Sequence, residues 1–189
     1  MKLSWVDCTT DLSALVPLVQ AVAATGGAVG WLQVPPPQEV TAWASGLIDQ
    51  GTSLLLATEG AGAVGCGAWT RMAGPVLWNV ASVSKVMTHP DARGRGVADA
   101  VVARLVASAR SAGVELLTLD ARGNNHGALR LYARTVSWSP GGVRTPLRSG
   151  PSASTRCSCT WTCEPVTSRS CATAAATSAR DAPDRPRPS

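Results

Sequence analysis

The stretch His89-Pro-Asp-Ala-Arg-Gly-Arg-Gly-Val-Ala98 narrows the folds open to this chain more than any other. It follows an apolar, strand-like run, Val83 to Thr88, and passes straight into a helix-patterned segment. Val97, Val101, Leu105 and Ala109 recur at helical spacing, and Val102 and Val106 widen the stripe. Gly113 closes the helix, and Glu115-Leu-Leu-Thr-Leu119 has the composition of a buried strand. Between the first strand and the helix, Gly94 and Gly96 let successive backbone N–H groups turn outward, and the first amides of the helix add to them. The result is a concave, partly positive nest suited to a pyrophosphate. Arg93 and Arg95 can add charge-assisted contacts. A plain basic strand-to-helix turn would show the same glycines, so the flanking segments carry the distinction.

Downstream, Asp120-Ala-Arg-Gly-Asn-Asn-His-Gly-Ala-Leu-Arg-Leu-Tyr132 leads into a second short helix, with Asn124 as the expected N-cap. The order strand, Arg93-x-x-Gly96-x-Ala98, helix, strand, Asn125-x-x-Ala128-x-x-Leu131-Tyr132 resembles the GNAT superfamily of acyl-CoA N-acyltransferases. The glycine segment matches that family's pyrophosphate motif, R/Q-x-x-G-x-G/A, and the Asn…Leu-Tyr segment matches the motif that follows it. The likeness is close from about Val83 to Arg134 and looser upstream. A Rossmann dinucleotide site would instead want G-x-G-x-x-G near the first strand and an acidic residue about 20 positions on.

The upstream order agrees. Leu3 to Val6 is a short strand, and Asp11 to Ala24 is helical, interrupted or re-entered at Pro17. Val40, Trp43, Ala44, Leu47 and Ile48 trace a helix stripe closed by Gly51. Ser53 to Thr58 and Ala63 to Thr70 form an antiparallel pair around Glu59-Gly-Ala-Gly62, and Val76 to Val80 starts the next strand or its hairpin. The resemblance thus implies an α/β fold of the α+β type: a mixed, mostly antiparallel central sheet flanked by helices.

The 189 residues, 45% hydrophobic, suffice for one domain and a tail. No run of about 18 apolar residues suggests a membrane span, and no signal-peptide h-region is evident, so a cytoplasmic location is expected. The net charge of +5 is unevenly placed. Residues 1–135 hold 10 Lys/Arg against 9 Asp/Glu, whereas residues 136–189 hold 7 against 3. Basicity confined to a tail does not argue for a nucleic-acid partner.

After Thr135 the pattern collapses. Residues 136–189 carry 17 Ser or Thr and only four Val, Leu or Ile, with no period of 2 or 3.6. The expected division is a domain over 1–135, incomplete because its last two strands are missing, and a low-complexity, disordered tail over 136–189. Members of the family usually open those strands with a Gly-Phe pair, yet this chain contains no Phe at all. Restoring one G after the Thr135 codon and choosing permitted codons yields T-G-F-V-E-P-G-G-R-A-D-P-I-A-V-G-P-E-R-F-D-E-V-L-V-H-L-D-L and then a stop. The tail is therefore expected to be an out-of-frame translation following a single-base frameshift, the alternative being a genuine disordered Ser/Arg/Pro tail. Cys157, Cys159, Cys163 and Cys171 match no common zinc spacing, so no metal is expected. Cys8 and Cys66 are expected to be small core residues.

The resemblance also implies the chemistry: an N-acetyltransferase moving an acetyl group from acetyl-CoA, the donor substrate, to an amine. The acceptor would be a small molecule, an antibiotic or toxin among the candidates, or a peptide. An inactive CoA-binding remnant is the alternative for this chain. Arg93, Gly94, Arg95, Gly96, Val97 and Ala98 would hold the pyrophosphate. A main-chain N–H within Val86, Met87 and Thr88 would stabilise the oxyanion. Asn125 would contact the pantetheine arm or the segment near it. Tyr132 would protonate the leaving thiolate, or else pack as a core tyrosine. Trp31, in the loop from Gly26 to Pro37, would touch the acceptor or serve the core. No carboxylate occupies Asn79 to Lys85 to act as base; Asp120 is a candidate base or a loop cap, and His89 and His126 are assigned structural roles. Monomer and dimer are both left open.

Overall fold

Six strands form one sheet in the simple order of the chain, and helices cover both of its faces. A computed structural model describes residues 1–26, 30, 31, 33–122, 125–135 and 156–162. The order is β1 (Lys2–Trp5), a 3-10 turn at Leu12–Ala14, α1 (Leu15–Ala24), α2 (Pro37–Asp49), β2 (Ser53–Glu59) and β3 (Gly62–Arg71). Then follow β4 (Val80–Thr88), α3 (Val97–Ser111), β5 (Leu116–Arg122), α4 (His126–Thr135) and β6 (Arg156–Thr162). Every pairing is antiparallel except β4 with β5. The mixed, mostly antiparallel sheet expected from the sequence is the one present.

Local chemistry accounts for the element ends. Asp11 accepts the Ser13 N–H and starts the turn that runs into α1. Pro17 falls in the first turn of α1, where its missing N–H costs nothing, so that helix is continuous. Pro37 sits at the first position of α2, and Gly51, at φ +76°, lets the chain leave it. The expected strand start at Val76 is instead a 3-10 turn, Pro75–Leu77, with Val76 84% exposed; pairing begins only at Val80.

The core has two layers. Under α3 lie Leu55, Ala57, Trp69, Ala81, Val83, Leu117 and Leu119, against which α3 sets Val97, Val101, Val102, Leu105 and Ala109. On the other face α1 and α2 cover Leu54, Leu56, Cys66, Ala68 and Met87. Each such fully buried Leu or Val contributes about 1.5–3 kcal/mol. Helix α3 comes unusually close to β3 because Gly65 and Gly67 face it. A Cβ on Gly65 would lie 2.6 Å from Val97 Cγ1, and one on Gly67 would lie 2.7 Å from Val101 Cγ1.

Two irregularities in β4 shape the molecule. First, the β3–β4 register shifts between Cys66 and Ala68: Met87 opposes Cys66 but Ser84 opposes Ala68, so Lys85 and Val86 span a single residue, Gly67. This bulge inverts the alternation of side chains. Ala81 and Val83 belong to the α3-side core, whereas Met87 belongs to the opposite core. Second, β4 pairs with β5 only from Val80↔Leu116 to Val83↔Leu119. Beyond that point β4 stays with β3 while β5 continues with β6, and the two central strands part.

Within residues 136–189, expected to be a low-complexity tail in place of the last two strands, Arg156–Thr162 pairs antiparallel with β5 along seven residues. Backbone pairing on an otherwise open edge of β5 is the physical reason a weakly patterned segment forms a strand there. The rest of residues 136–189 lies outside the described residues.

Candidate active site

The parting of β4 and β5 opens a cleft of about 860 Å³. One wall is Val86, Met87 and Thr88 of β4; the facing wall is Asn125, Gly127, Ala128 and Leu131. The rim is the turn Arg93-Gly94, Gly96, Val97 and Ala98. Gly94 and Gly96 sit at φ +76° and +78°, a region that side chains resist. No neighbour approaches the Cβ position of either, so the turn faces open space. Gly96 is the N-cap of α3, and no side chain caps it. The amides of Val97, Ala98 and Asp99 have no acceptor within the helix, and the helix dipole adds a partial positive charge.

Asp99 in that first turn would repel an anionic ligand, but its carboxylate is held bidentate by Arg134, Nε to Oδ1 at 2.7 Å and Nη2 to Oδ2 at 2.9 Å. The Arg134 hydrogen bonds also hold the Asp99 carboxyl below its ordinary range. Arg93 reaches across to Thr25 Oγ1 at the end of α1, 3.2 Å away. Arg95 behaves differently. Its guanidinium pairs with Glu59 at 2.6 Å, at the end of β2, and it does not line the cleft.

Strand periodicity locates the polar groups of the wall. His89 N–H donates to Val64 O across β3, so by alternation the amides of Thr88 and Val86 point away from β3, toward the opening. At the bulge, Lys85 is the one non-glycine residue with positive φ among the described residues, +57°. Its carbonyl accepts from the Cys66 thiol at 3.4 Å. Cys66 is fully buried, and burial pushes its thiol up to about 12, which makes it a tether rather than a nucleophile.

Asn125 lies on the cleft wall, and its Oδ1 accepts the Ala128 N–H at 3.1 Å. It therefore caps α4, the task expected of Asn124, which lies outside the described residues. Tyr132 is 8% exposed among the α3-side core residues, and it does not line the cleft. Burial pushes its phenol up to about 12, and the hydroxyl has no hydrogen-bond partner among the described residues. His89 accepts the Asp91 N–H in the turn after β4, and Asp120 is exposed at the end of β5. Cys8, expected in the core, is exposed in the turn after β1. No group of His, Cys, Asp and Glu among the described residues could hold a metal.

Trp31 is placed elsewhere. It lines a smaller hollow of about 280 Å³ with Gly30, Glu39, Trp43 and Lys85, on the α2 side of the sheet. The sequence reading missed Glu39, Trp43 and Lys85. Glu39 and Trp43 are four residues apart on α2 and so share a face, a spacing visible in the sequence. That Lys85 joins them depends on the bulge.

An uncapped helix end, two glycines opening a turn toward solvent and a long cleft with Arg93 on its rim fit an extended ligand with a diphosphate. These features define a protein with an anion-binding cleft between two diverging strands. The comparisons agree. Residues 22–137 match the model of the acetyltransferase (GNAT) family. YncA of Salmonella typhimurium, solved with its cofactor acetyl-CoA, superposes at a TM-score of 0.68 with 16% identity, covering 91% of this chain and 99% of that one. An N-acetyltransferase of Staphylococcus aureus Mu50 gives 0.69 with 15% identity over 87% and 100%. A ribosomal-protein-alanine N-acetyltransferase of Brucella melitensis gives 0.68 with 15% over 86% and 99%. No curated protein sequence matches the chain. The chain belongs to the GNAT acetyltransferase family.

Proposed function

We propose that this protein acetylates the amine of a small molecule in a direct transfer within the cleft between β4 and β5. The single observation that carries this reading is that one strand, β4, serves both sides. Its residues Val86 to Thr88 wall the donor cleft, and Lys85, next in line, walls the hollow containing Trp31. Acetyl-CoA, when bound, supplies the reactive thioester. The chain's own groups do the rest. The amides of Gly94 to Ala98 and the Arg93 guanidinium hold the diphosphate. An amide of Val86 or Thr88 donates to the carbonyl oxygen as negative charge develops there. Asn125 frames the pantetheine side of the cleft. Trp31 bounds the acceptor, while Tyr132 packs in the α3-side core off the cleft lining, so whether its hydroxyl serves the leaving sulfur is what Tyr132→Phe tests.

The test has two parts. Acetyl-CoA should raise the melting temperature, by about 2.7 kcal/mol of stabilisation at a hundredfold excess over Kd. A panel of amines should then release free thiol. Binding without thiol release from any amine would favour the second reading, a CoA-binding protein without turnover. What supports that second reading is the loss of apolar pattern after Thr135.

A further inference from the structure

The small hollow beside β4 has a definite charge character. Trp31 and Trp43 meet edge to face, their centroids 5.1 Å apart with an interplanar angle of 70°. Glu39, one turn before Trp43 on α2, accepts the Trp31 Nε1–H on Oε1 at 2.6 Å, a neutral donor that orients the carboxylate and leaves its charge in place. Lys85 Nζ lies 5.6 Å from the Trp43 ring centroid, in reach of a cation–π contact. Among the described residues no carboxylate lies within 4 Å of that ammonium. A half-buried ammonium against an indole keeps three donors and no anionic acceptor. The hollow thus holds one carboxylate tied to an indole and one ammonium with no ion-pair partner among the described residues, and Lys85 is the group left to meet an incoming anion.

We infer that the acceptor carries an anionic group, a carboxylate or phosphonate, that binds Lys85, beside an apolar portion that lies on Trp31 and Trp43. The inference rests on the proposed acetyl transfer, and it adds the class of amine. A volume of about 280 Å³ holds roughly ten non-hydrogen atoms at about 30 Å³ for each water-sized group. That is the scale of one amino-acid residue, free or at the exposed end of a longer chain. The geometry also sets the order of groups. The anion sits at the tip of the Lys85 side chain, while the amine must reach the Val86 to Thr88 wall beside that residue's own backbone.

The test compares L-leucine, its methyl ester and its aminophosphonate analogue as acceptors, in the wild type and in Lys85→Met and Lys85→Arg. One charge-assisted contact predicts that the acid and the phosphonate exceed the ester roughly ten- to hundredfold in kcat/KM. Lys85→Met should abolish that preference and Lys85→Arg should keep it. Equal use of ester and acid by the wild type, or a preference that survives Lys85→Met, overturns the inference. A binding titration separates its failure from that of acetyl transfer. N-acetyl-leucine and its methyl ester are titrated by tryptophan fluorescence with CoA present, which needs no turnover. Tighter binding of the acid in the wild type and Lys85→Arg, lost in Lys85→Met, upholds the inference even if no amine is acetylated. Equal binding of acid and ester overturns it.

Discussion

Cys66 and Tyr132 show how burial decides what a reactive residue does. The Cys66 thiol donates to the carbonyl of Lys85, the residue whose positive φ makes the bulge. Cys66→Ala removes that donor and leaves a small void. The expected cost is roughly 1–3 kcal/mol in urea unfolding. A fall in kcat/KM at temperatures where the variant remains folded would show that the thiol also fixes the bulge. Tyr132→Phe removes a single hydroxyl that has no partner among the described residues. Its stability should be nearly unchanged, while kcat should fall roughly a hundredfold if the phenol is the acid. Because burial raises the phenol to about 12, the protonated form persists to high pH. The wild-type rate should therefore show no descending limb from Tyr132 below pH 10, where an ordinary tyrosine would begin to lose its proton. Both residues can be found in the sequence, Tyr132 through its motif and Cys66 only as an apolar position. Neither the thiol's partner nor the solitary hydroxyl could be read there, since both depend on distant backbone.

At the scale of elements, the donor cradle is held in place by the seating of α3 on glycines. Gly65→Ala would press a methyl group on Val97, the first residue of α3, and on the Met87 carbonyl, 3.0 Å from the added Cβ. The expected penalty is about 1–3 kcal/mol of overpacking. Acetyl-CoA affinity, measured by thermal shift, should fall further than in Leu105→Ala, which loosens the same helix about two turns away from the glycine turn. Gly96→Ala meets no neighbour, so its cost is the positive φ alone, about 1–2 kcal/mol. The α3 unit was the most legible part of the chain, because glycines punctuate both ends and the apolar stripe has one period. The bulge in β4 was not legible. Continuing the alternation from Ala81 and Val83 would have put Lys85 in the α3-side core, and only the register against β3 shows that an extra residue turns it the other way. Arg95 illustrates the same limit, since nothing local says that its partner is Glu59.

For the molecule as a whole, β6 links the sheet to the anomalous tail. The segment Arg156–Thr162 falls where the shifted frame, counted residue for residue, gives E-V-L-V-H-L-D, an alternating strand with apolar residues at every other position. We propose that the tail is an out-of-frame remnant of a closing strand. Rereading the gene at codon 136 tests this directly, and an uninterrupted frame in independent reads would sink it. A frame-restored protein should melt higher than the present chain and release thiol faster in the same amine panel. Equal melting and equal turnover would show that the tail serves the fold as it stands. This end of the molecule was the least legible because a strand that forms by completing an edge needs little pattern of its own.

Lys85 has one more consequence, and it concerns how such a protein can change. Its backbone bends the strand that bounds the donor, and its side chain closes the hollow proposed for the acceptor. A mutation that placed a β-branched residue or proline here, shapes that resist a φ of +57°, would disturb the bend as well as the taste for acceptors, and with it the rate. Drift toward new substrates should therefore proceed first through Trp31, Glu39 and Trp43, which lie on the helical side and can vary without touching the strand. Lineages in which position 85 does change would be expected to carry a compensating change at Cys66.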